Sequence, residues 1–437
     1  MSAIYDLIRY AQLKHRAFTE IVEDLDDTKF HFSAKDNLCA DGFQARAGSA
    51  VLDGYRPPFD ATPIRKMKDS GGQLVGKTTM DEFGFGTFST NSAHGVPLNP
   101  FDLERSCGGS SGGAGAAACL IPGHIALGVS TGGSISGPAS FCGVVGLTPT
   151  YGRVSRYGLI DYGNSLDKVG LLSRSSSLVA KHFRTISGPD PKDPTSCAQP
   201  VLADRGKMPR SLAVPKEALQ NLDPAVRSSF QDALSRFKEL GTEVHEVSMP
   251  SLRFALPAYY ILATSEASTN LARYCGMRFG RREEELNQHF NDFFTGVRSE
   301  SFGDEAKRRI LLGTFCRMVG FRSRYYLKSL AVRQLLIEEY QKVFRDHDAV
   351  VTPTMPFIAP RFEEIGRMKT LEMYGADVLT VPPNLTGMPH ISVPCAYVKG
   401  LPVGMQLVAD HWKELDLLEA ASAWEKAFIY RFPEVSP

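Results

Sequence analysis

The sequence has almost no excess charge and no long apolar run. Across 437 residues, 49 Lys and Arg residues stand against 48 Asp and Glu residues, a formal net charge of +1. A broad nucleic-acid-binding surface usually needs a basic excess, so this balance argues against one. The most apolar stretch, 114–129, is broken by Gly115, Pro122, Gly123 and His124. We therefore expect no membrane span.

The eight cysteines lack any C-x-x-C spacing. This absence disfavours a zinc or iron–sulfur site, so we expect free thiols and no metal in this chain. The first residues also lack the long apolar segment of a secretory signal. With 43% apolar and 22% charged residues, the composition is that of a globular protein and excludes a disordered or collagen-like chain.

Helix-like and strand-like segments alternate along the whole chain, which predicts a layered α/β fold. The pattern predicts one helix over residues 1–28, a short strand ending at Lys35, and the start of another helix at 80–83. Amphipathic helices are predicted at 223–240 and 415–428. We find no internal repeat and no linker, so we expect a single large domain spanning 1–437.

Two short motifs match nucleotide and hydrolase signatures only in form. The segment GGQLVGKT at 71–78 has the spacing of a phosphate-binding loop, but its apolar strand lies inside the motif rather than before it. Gly109, Ser111 and Gly113 match G-x-S-x-G, yet no strand precedes the serine. We interpret the first as the end of a strand that turns into a helix, and we do not interpret the second as a hydrolase signature. The charged run 281–285 is interpreted as a solvated helix face, and His94, His124 and His390 as structural residues.

Three elements could support acyl-transfer chemistry. Lys35 follows a predicted strand, Ser110 lies between two glycine pairs, and Ser134 follows Thr-Gly-Gly. A serine nucleophile needs a base, and a buried lysine can serve once its pKa is lowered. Glycine-rich backbone can direct N–H groups at a developing oxyanion. Spacing alone leaves a plainer alternative open, because Gly-Ser loops are common and Lys35 could lie on the surface.

The wider motifs decide between these interpretations. They are KDN at 35–37, GGSSGG at 108–113, TGGSI at 131–135 and PASFCGVVGLTPTYGRVSRYGL at 138–159. This stretch resembles the amidase signature family. Within that family, several later segments are similar to the glutamine-hydrolysing A subunits of tRNA-dependent amidotransferases. These segments are SRYGLIDYGNSLDKVG at 155–170, TSEASTNLARY at 264–274, AKRRILLGTF at 306–315 and LTVPPNLTGMPHISVPC at 379–395.

The resemblance implies a fold and a set of catalytic roles. The fold would be one amidase-signature domain with a mixed central β-sheet flanked by helices (α/β/α), a signature core at about 29–175 and a shortened N-terminal helical region. Ser134 would be the nucleophile and Ser110 the bridging serine, preceded by a cis peptide bond. Lys35 would be the base. The backbone of Thr131, Gly132 and Gly133 would form the oxyanion hole.

The same resemblance implies a pocket for a free amino acid. Arg309 would bind the α-carboxylate and Asp377 the α-amino group, with Tyr260 beside them. Taken alone, Arg309 and Asp377 could equally be a surface ion pair or a helix cap. Two positions next to the nucleophile depart from the family pattern, because Ser130 and Ser136 replace the usual Asp and Arg.

For partners, the resemblance implies the B subunit of such an amidotransferase. This partner would bind Glu-tRNA(Gln), ATP and Mg²⁺ and would receive ammonia from glutamine hydrolysed in this chain. The early position of Lys35 resembles the fungal mitochondrial complex, which has a third subunit. We therefore expect the mitochondrial matrix, with the cytoplasm of a bacterium as the alternative location. A stand-alone amidase of another small amide and a catalytically weak scaffold remain the alternative functions.

Overall fold

The computed structural model describes residues 3–196, 198–203, 206–281 and 289–435. Within these ranges, eleven strands form a single sheet in the order β1-β3-β2-β4-β6-β5-β10-β11-β9-β7-β8. The strands are β1 (Phe18–Ile21), β2 (Phe30–Lys35), β3 (Gly72–Thr78), β4 (Ile125–Ser130), β5 (Val145–Thr148), β6 (Lys168–Ser173), β7 (Ser211–Pro215), β8 (Glu243–Val247), β9 (Ala349–Pro353), β10 (His390–Val398) and β11 (Leu401–Val408).

The sheet is mixed, as the resemblance predicts. Strand β2 pairs in parallel with both β3 and β4, and β7 pairs in parallel with β8 and β9. The middle of the sheet is antiparallel, from β4 through β6, β5, β10 and β11 to β9. Parallel β2 and β4 bring their C-terminal ends to the same edge of the sheet, so Lys35 and Ser130 both lie there.

Helices cover both faces of this sheet. The described helices are α1 (Ala3–His15), α2 (Thr62–Asp69), α3 (Gly112–Leu120), α4 (Ser136–Phe141), α5 (Ser176–Ile186), α6 (Pro224–Glu239), α7 (Ala255–Asn270), α8 (Phe290–Ser301), α9 (Asp304–Arg317), α10 (Lys328–Val343), α11 (Phe362–Arg367), α12 (Thr370–Gly375), α13 (Val381–Leu385) and α14 (Glu414–Ala427). The predicted helices at 223–240 and 415–428 are therefore confirmed as α6 and α14. None of the described helices is long and apolar enough to cross a membrane.

The alternation of side chains along β4 explains the three layers. Ile125, Leu127 and Val129 pack in a core that includes residues of α5, α6 and α14. Ala126, on the opposite face, packs in a second core with α3 and α4. Successive strand residues point to opposite faces, so β4, which is buried at every position, is covered on both sides.

Two predicted helices are wrong. The helix over 1–28 ends at His15, and Phe18–Ile21 form β1 because they pair antiparallel with β3. That pairing depends on a distant segment, which local periodicity cannot reveal. The helix predicted from 80 is a short 3₁₀ turn, Glu82–Gly84, in which Phe83 and Gly84 have positive φ values of 49° and 85°.

The two formal motifs do not form their signature structures. The strand β3 runs through GGQLVGKT, and Lys77 is buried with its Nζ donating to the Leu38 carbonyl at 2.5 Å. Ser111 donates its hydroxyl to the Val129 carbonyl at 3.2 Å. Of the charged run, Arg281 pairs with Glu300 at 2.9 Å, whereas 282–285 lie outside the described residues.

Candidate active site

Lys35 is buried at the end of β2, directly beneath the glycine-serine loops. Its Nζ donates to the Ser110 Oγ at 2.7 Å and to the Val129 carbonyl at 2.9 Å. Only 1% of the residue is exposed. The sequence alternative, a surface lysine, is therefore wrong, and the amine is held against one of the predicted serines.

Burial also changes the proton affinity of this amine. Desolvation lowers the pKa of Lys35 from 10.5 to about 7, although the carboxylates of Asp81 and Asp167 act in the opposite direction. Burial in turn raises the pKa of Asp81 and of Asp167 to about 7 each. A lysine with a pKa near 7 is neutral in a large fraction of molecules at neutral pH, as a general base must be.

Ser110 follows a cis peptide bond from Gly109, in agreement with the resemblance. The turn depends on glycine, because a Cβ on Gly109 would stand 2.3 Å from Asp81 Oδ2 and 2.6 Å from the Ser89 nitrogen. Asp81 holds the neighbouring loop by accepting hydrogen bonds from the backbone of Ser89 and Asn91. Its own N–H donates to the Ser110 carbonyl at 3.2 Å.

Ser134 lies in the loop between β4 and α4, on the same side of the sheet. Its carbonyl accepts a hydrogen bond from the Ser111 N–H at 3.2 Å. The Ser134 hydroxyl makes no hydrogen bond to any described residue, so its link to Ser110 is not closed in this structure. Catalytic hydrogen bonds often tighten only when substrate is bound. The hydroxyl is available to attack a carbonyl carbon.

The loop before Ser134 presents free backbone donors. Within the described part of the chain, the N–H groups of Gly132, Gly133 and Ser134 donate no hydrogen bond. Thr131 anchors the start of the loop by donating its hydroxyl to Asp167 at 2.7 Å. Both glycines are tightly packed: a Cβ on Gly132 would lie 2.7 Å from the Tyr259 hydroxyl, and one on Gly133 2.3 Å from Thr380 Oγ1. Such a loop can place N–H groups around a negative oxygen.

Arg309, on α9, is 2% exposed and is surrounded by aromatic rings. Its guanidinium lies 5.1–5.7 Å from the ring centres of Phe85, Tyr162, Tyr260 and Tyr374. Its Nε donates to Glu305 at 2.7 Å and its Nη1 to the Tyr162 hydroxyl. No described residue accepts from Nη2, which can therefore bind a ligand oxygen. The alternative of a surface ion pair is wrong for this arginine.

Asp377 is also buried and lies against the nucleophile loop. Its Oδ2 accepts hydrogen bonds from Thr87 at 2.8 Å and from the Tyr260 hydroxyl at 3.2 Å. Burial raises its pKa to about 6, with Thr87 and Arg309 opposing that rise. Its Oδ1 stands 3.1 Å from the position that a Cβ on Gly133 would occupy.

Tyr260 connects the two charged groups. Its hydroxyl bonds Asp377, while its ring stacks on Tyr374 with centres 4.1 Å apart and faces Arg309. Tyr260 thus links a buried cation to a buried carboxylate that lies beside the Gly133 backbone. The two groups offer opposite charges to the two ends of a zwitterion.

A model of the amidase family matches residues 31–418 of the chain. The chain belongs to the amidase family. A family member from Symbiobacterium thermophilum, the A subunit of glutamyl-tRNA(Gln) amidotransferase, is 43% identical over 90% of this chain and 82% of its own length. The A subunit of the same name from Persephonella marina is 40% identical over 99% of this chain and 92% of its own.

A solved amidase structure has the same fold over nearly the whole chain. The crystal structure of the glutamyl-tRNA(Gln) amidotransferase A subunit from Thermotoga maritima superposes with a TM-score of 0.84 at 32% identity, covering 99% of this chain and 94% of that one. The predicted single amidase-signature domain with a mixed sheet is thereby confirmed.

Sequence reasoning missed four polar residues around this amidase site. They are Asp81, Asp167, Glu305 and Asn384. Asp167 and Asn384 fall inside quoted motifs, so a motif signal existed, but nothing in the sequence places them beside the loops. At the two unusual positions, Ser130 donates to Asn384 Oδ1 at 3.3 Å, whereas the buried Ser136 hydroxyl has no partner among described residues.

Proposed function

We propose that this chain is the glutaminase subunit of a tRNA-dependent amidotransferase, hydrolysing glutamine to glutamate and ammonia. The observation that carries the proposal is the buried Asp377 beside the loop before Ser134, linked through Tyr260 to the buried Arg309. Arg309 has a free Nη2 for an α-carboxylate, and Asp377 has an acceptor oxygen for an α-amino group. The named relatives, all A subunits of glutamyl-tRNA(Gln) amidotransferase, support the assignment to an amidotransferase.

The chemistry that we propose uses three side chains. Ser134 Oγ attacks the side-chain amide carbon of glutamine and passes its proton to Ser110 Oγ. Ser110 passes its own proton to the neutral amine of Lys35, which accepts it at 2.7 Å. The N–H groups of Gly132, Gly133 and Ser134 receive the negative oxygen of the tetrahedral intermediate.

When that intermediate collapses, the proton held by Lys35 goes to the leaving group. Lys35, through Ser110, protonates the leaving nitrogen, and ammonia departs to leave a γ-glutamyl ester on Ser134. Water then attacks the ester, with Lys35 again accepting a proton through Ser110. Glutamate is released and the serine is regenerated.

The ammonia is used by a partner protein. In this proposal the amidotransferase's B subunit holds Glu-tRNA(Gln), ATP and Mg²⁺ and forms Gln-tRNA(Gln), and a third subunit of the fungal type completes the complex. The resemblance to the fungal mitochondrial complex favours the mitochondrial matrix, whereas the bacterial sources of the quoted relatives favour the alternative, a bacterial cytoplasm. Fractionation of the source cells, followed by immunoblotting, distinguishes these locations.

A comparison of two amides tests the assignment of glutamine. The assembled complex would be assayed for ammonia release from glutamine and from propionamide, which lacks the α-carbon together with its amino and carboxylate groups. We expect a much higher kcat/KM for glutamine, and we expect the preference to disappear in Asp377→Asn. Equal kcat/KM values for the two amides would instead indicate a stand-alone amidase of small amides.

A further inference from the structure

The amide of Asn384, on α13, is buried behind the nucleophile loop. Its Nδ2 donates to the Gly132 carbonyl and, at 3.1 Å, to the Thr380 carbonyl. Its Oδ1 accepts from the Ser130 hydroxyl at 3.3 Å. One side chain therefore holds the loop at two points, one before and one after Thr131.

The neighbours also fix which way this amide faces. His390 Nδ1 lies 3.2 Å from the Met388 carbonyl, an acceptor, so this nitrogen carries the proton. His390 Nε2, 3.3 Å from Asn384 Nδ2, is then an acceptor as well. Burial and the nearby Lys168 keep the pKa of His390 well below its usual value, which keeps the ring neutral. All three neighbours of Nδ2 are acceptors and the neighbour of Oδ1 is a donor, so only this orientation satisfies the group.

Holding the Gly132 carbonyl also orients the Gly133 N–H, because both groups belong to one planar peptide unit. The bond between Gly132 and Gly133 is trans, so its C=O and N–H point in opposite directions. A carbonyl held by Asn384 therefore directs the Gly133 N–H away from Asn384, on the side where no described residue accepts it. Two successive glycines have little conformational preference of their own, so this plane could rotate if it were not held.

We propose that Asn384 is a positioning residue that sets the oxyanion hole by fixing the Gly132–Gly133 peptide, with Ser130 orienting the Asn384 amide. Asn384 does not touch the substrate. It acts on the transition state alone, because the N–H that it orients meets a full negative charge only there. The proposal rests on Ser134 being the nucleophile of the proposed function.

The test is Asn384→Leu in the assembled complex, with kcat and KM for glutamine measured separately. Loss of one direct oxyanion donor costs about 10²–10³-fold in kcat, so a misdirected donor is expected to cost about 10–100-fold. KM is expected to stay within about twofold, because Arg309 and Asp377 are untouched. An unchanged kcat, or a raised KM with kcat intact, would overturn the proposal.

Asn99 provides a matched control for general destabilisation. It is fully buried, and its Nδ2 also donates to two carbonyls, those of Ser106 at 2.8 Å and Phe141 at 2.9 Å. Asn99→Leu is expected to lower Tm as Asn384→Leu does, but without the selective loss of kcat. The same kcat loss in both variants would assign Asn384 a merely structural role and overturn the proposal.

Ser130 keeps the proposal testable if Asn384→Leu does not assemble. Ser130→Ala is expected to lower kcat by a smaller factor than Asn384→Leu, and Ser130→Thr, which retains the hydroxyl, is expected to restore it. An unchanged kcat in Ser130→Ala would then contradict the proposal. If the wild-type complex hydrolyses propionamide but not glutamine, the proposed function fails, and the same kcat comparison on propionamide still decides the role of Asn384.

Discussion

The Nζ of Lys35 lies 2.7 Å from the Oγ of Ser110, although 75 residues separate them in the chain. The contact exists because β2 ends beside β4 and delivers the amine beneath the cis turn at Gly109. Burial at this place lowers the pKa of the amine to about 7, so the fold supplies both the position of the proposed base and its neutral form near pH 7.

The pH dependence of glutamine hydrolysis tests this base. Lys35 accepts a proton only when neutral, and the neutral fraction grows as pH rises through its pKa of about 7. We therefore expect kcat/KM to increase about tenfold per pH unit between about pH 6 and pH 7, more steeply below pH 6, where Asp377 is also protonated, and to level off above pH 7. If kcat/KM instead continued to rise up to pH 10.5, the ordinary pKa of a lysine, burial would not activate this amine.

Replacement of the base should abolish hydrolysis. Lys35→Met removes the proton acceptor, and we expect kcat to fall by at least about 10³-fold. Lys77→Met is the control for loss of a buried amine, because Lys77 is equally buried one strand away but contacts the carbonyls of Leu38 and Gln44 and the carboxylate of Asp36 rather than Ser110. We expect this control to lower Tm while glutamine turnover persists. Comparable kcat losses in the two variants would count against the assignment of Lys35.

The free Nη2 of Arg309 should set the affinity for glutamine. A hydrogen bond to a charged group contributes about 1.5–3 kcal/mol, so we expect Arg309→Met to raise KM by about 10–100-fold. Propionamide, which has no carboxylate, should be far less affected. Arg308→Met is the control, since Arg308 also pairs with Glu305 but is largely exposed. A KM for glutamine that is unchanged in Arg309→Met would remove Arg309 from the substrate site.

Gly133 is packed so tightly that adding one methyl group there should lower kcat. A Cβ there would stand 2.3 Å from Thr380 Oγ1, so Gly133→Ala must displace the loop that carries the proposed oxyanion donors. We expect a fall of about 10²-fold in kcat, the scale of losing one such donor. Gly296→Ala, where no atom of the described residues lies within 4 Å of the added methyl group, should leave ammonia release unchanged. Normal turnover in Gly133→Ala would show that the loop does not form the oxyanion hole.

Local sequence signals predicted those parts of the fold that local interactions determine. The helices α6 and α14 follow from apolar periodicity, and the strand ending at Lys35 follows from alternation. Strand β1 was missed because four residues became a strand only by pairing with β3. The start of a helix at Met80 was wrong because the chain turns at Phe83 and Gly84 with positive φ.

The candidate site, like the fold, has residues that sequence signals identify and residues whose placement depends on distant contacts. The serines and Lys35 lie in motifs that the family resemblance identifies. The burial of Arg309 and Asp377 and the amide orientation of Asn384 arise from packing between segments more than 100 residues apart, as in the hydrogen bonds from Thr87 to Asp377 and from Asn384 to Gly132. No local sequence pattern reveals such contacts, so the sequence alone could not exclude a surface ion pair for Arg309 and Asp377.

The central claim is that Ser134 hydrolyses glutamine for a tRNA-dependent partner. The most direct measurement is ammonia release from glutamine by the assembled complex, with wild-type chain and with Ser134→Ala, in the presence and absence of Glu-tRNA(Gln) and ATP. We expect release by the wild type, stimulation by Glu-tRNA(Gln) with ATP, and loss of both in Ser134→Ala. Equal ammonia release by the wild type and Ser134→Ala, or none from an intact wild-type complex, would contradict the claim.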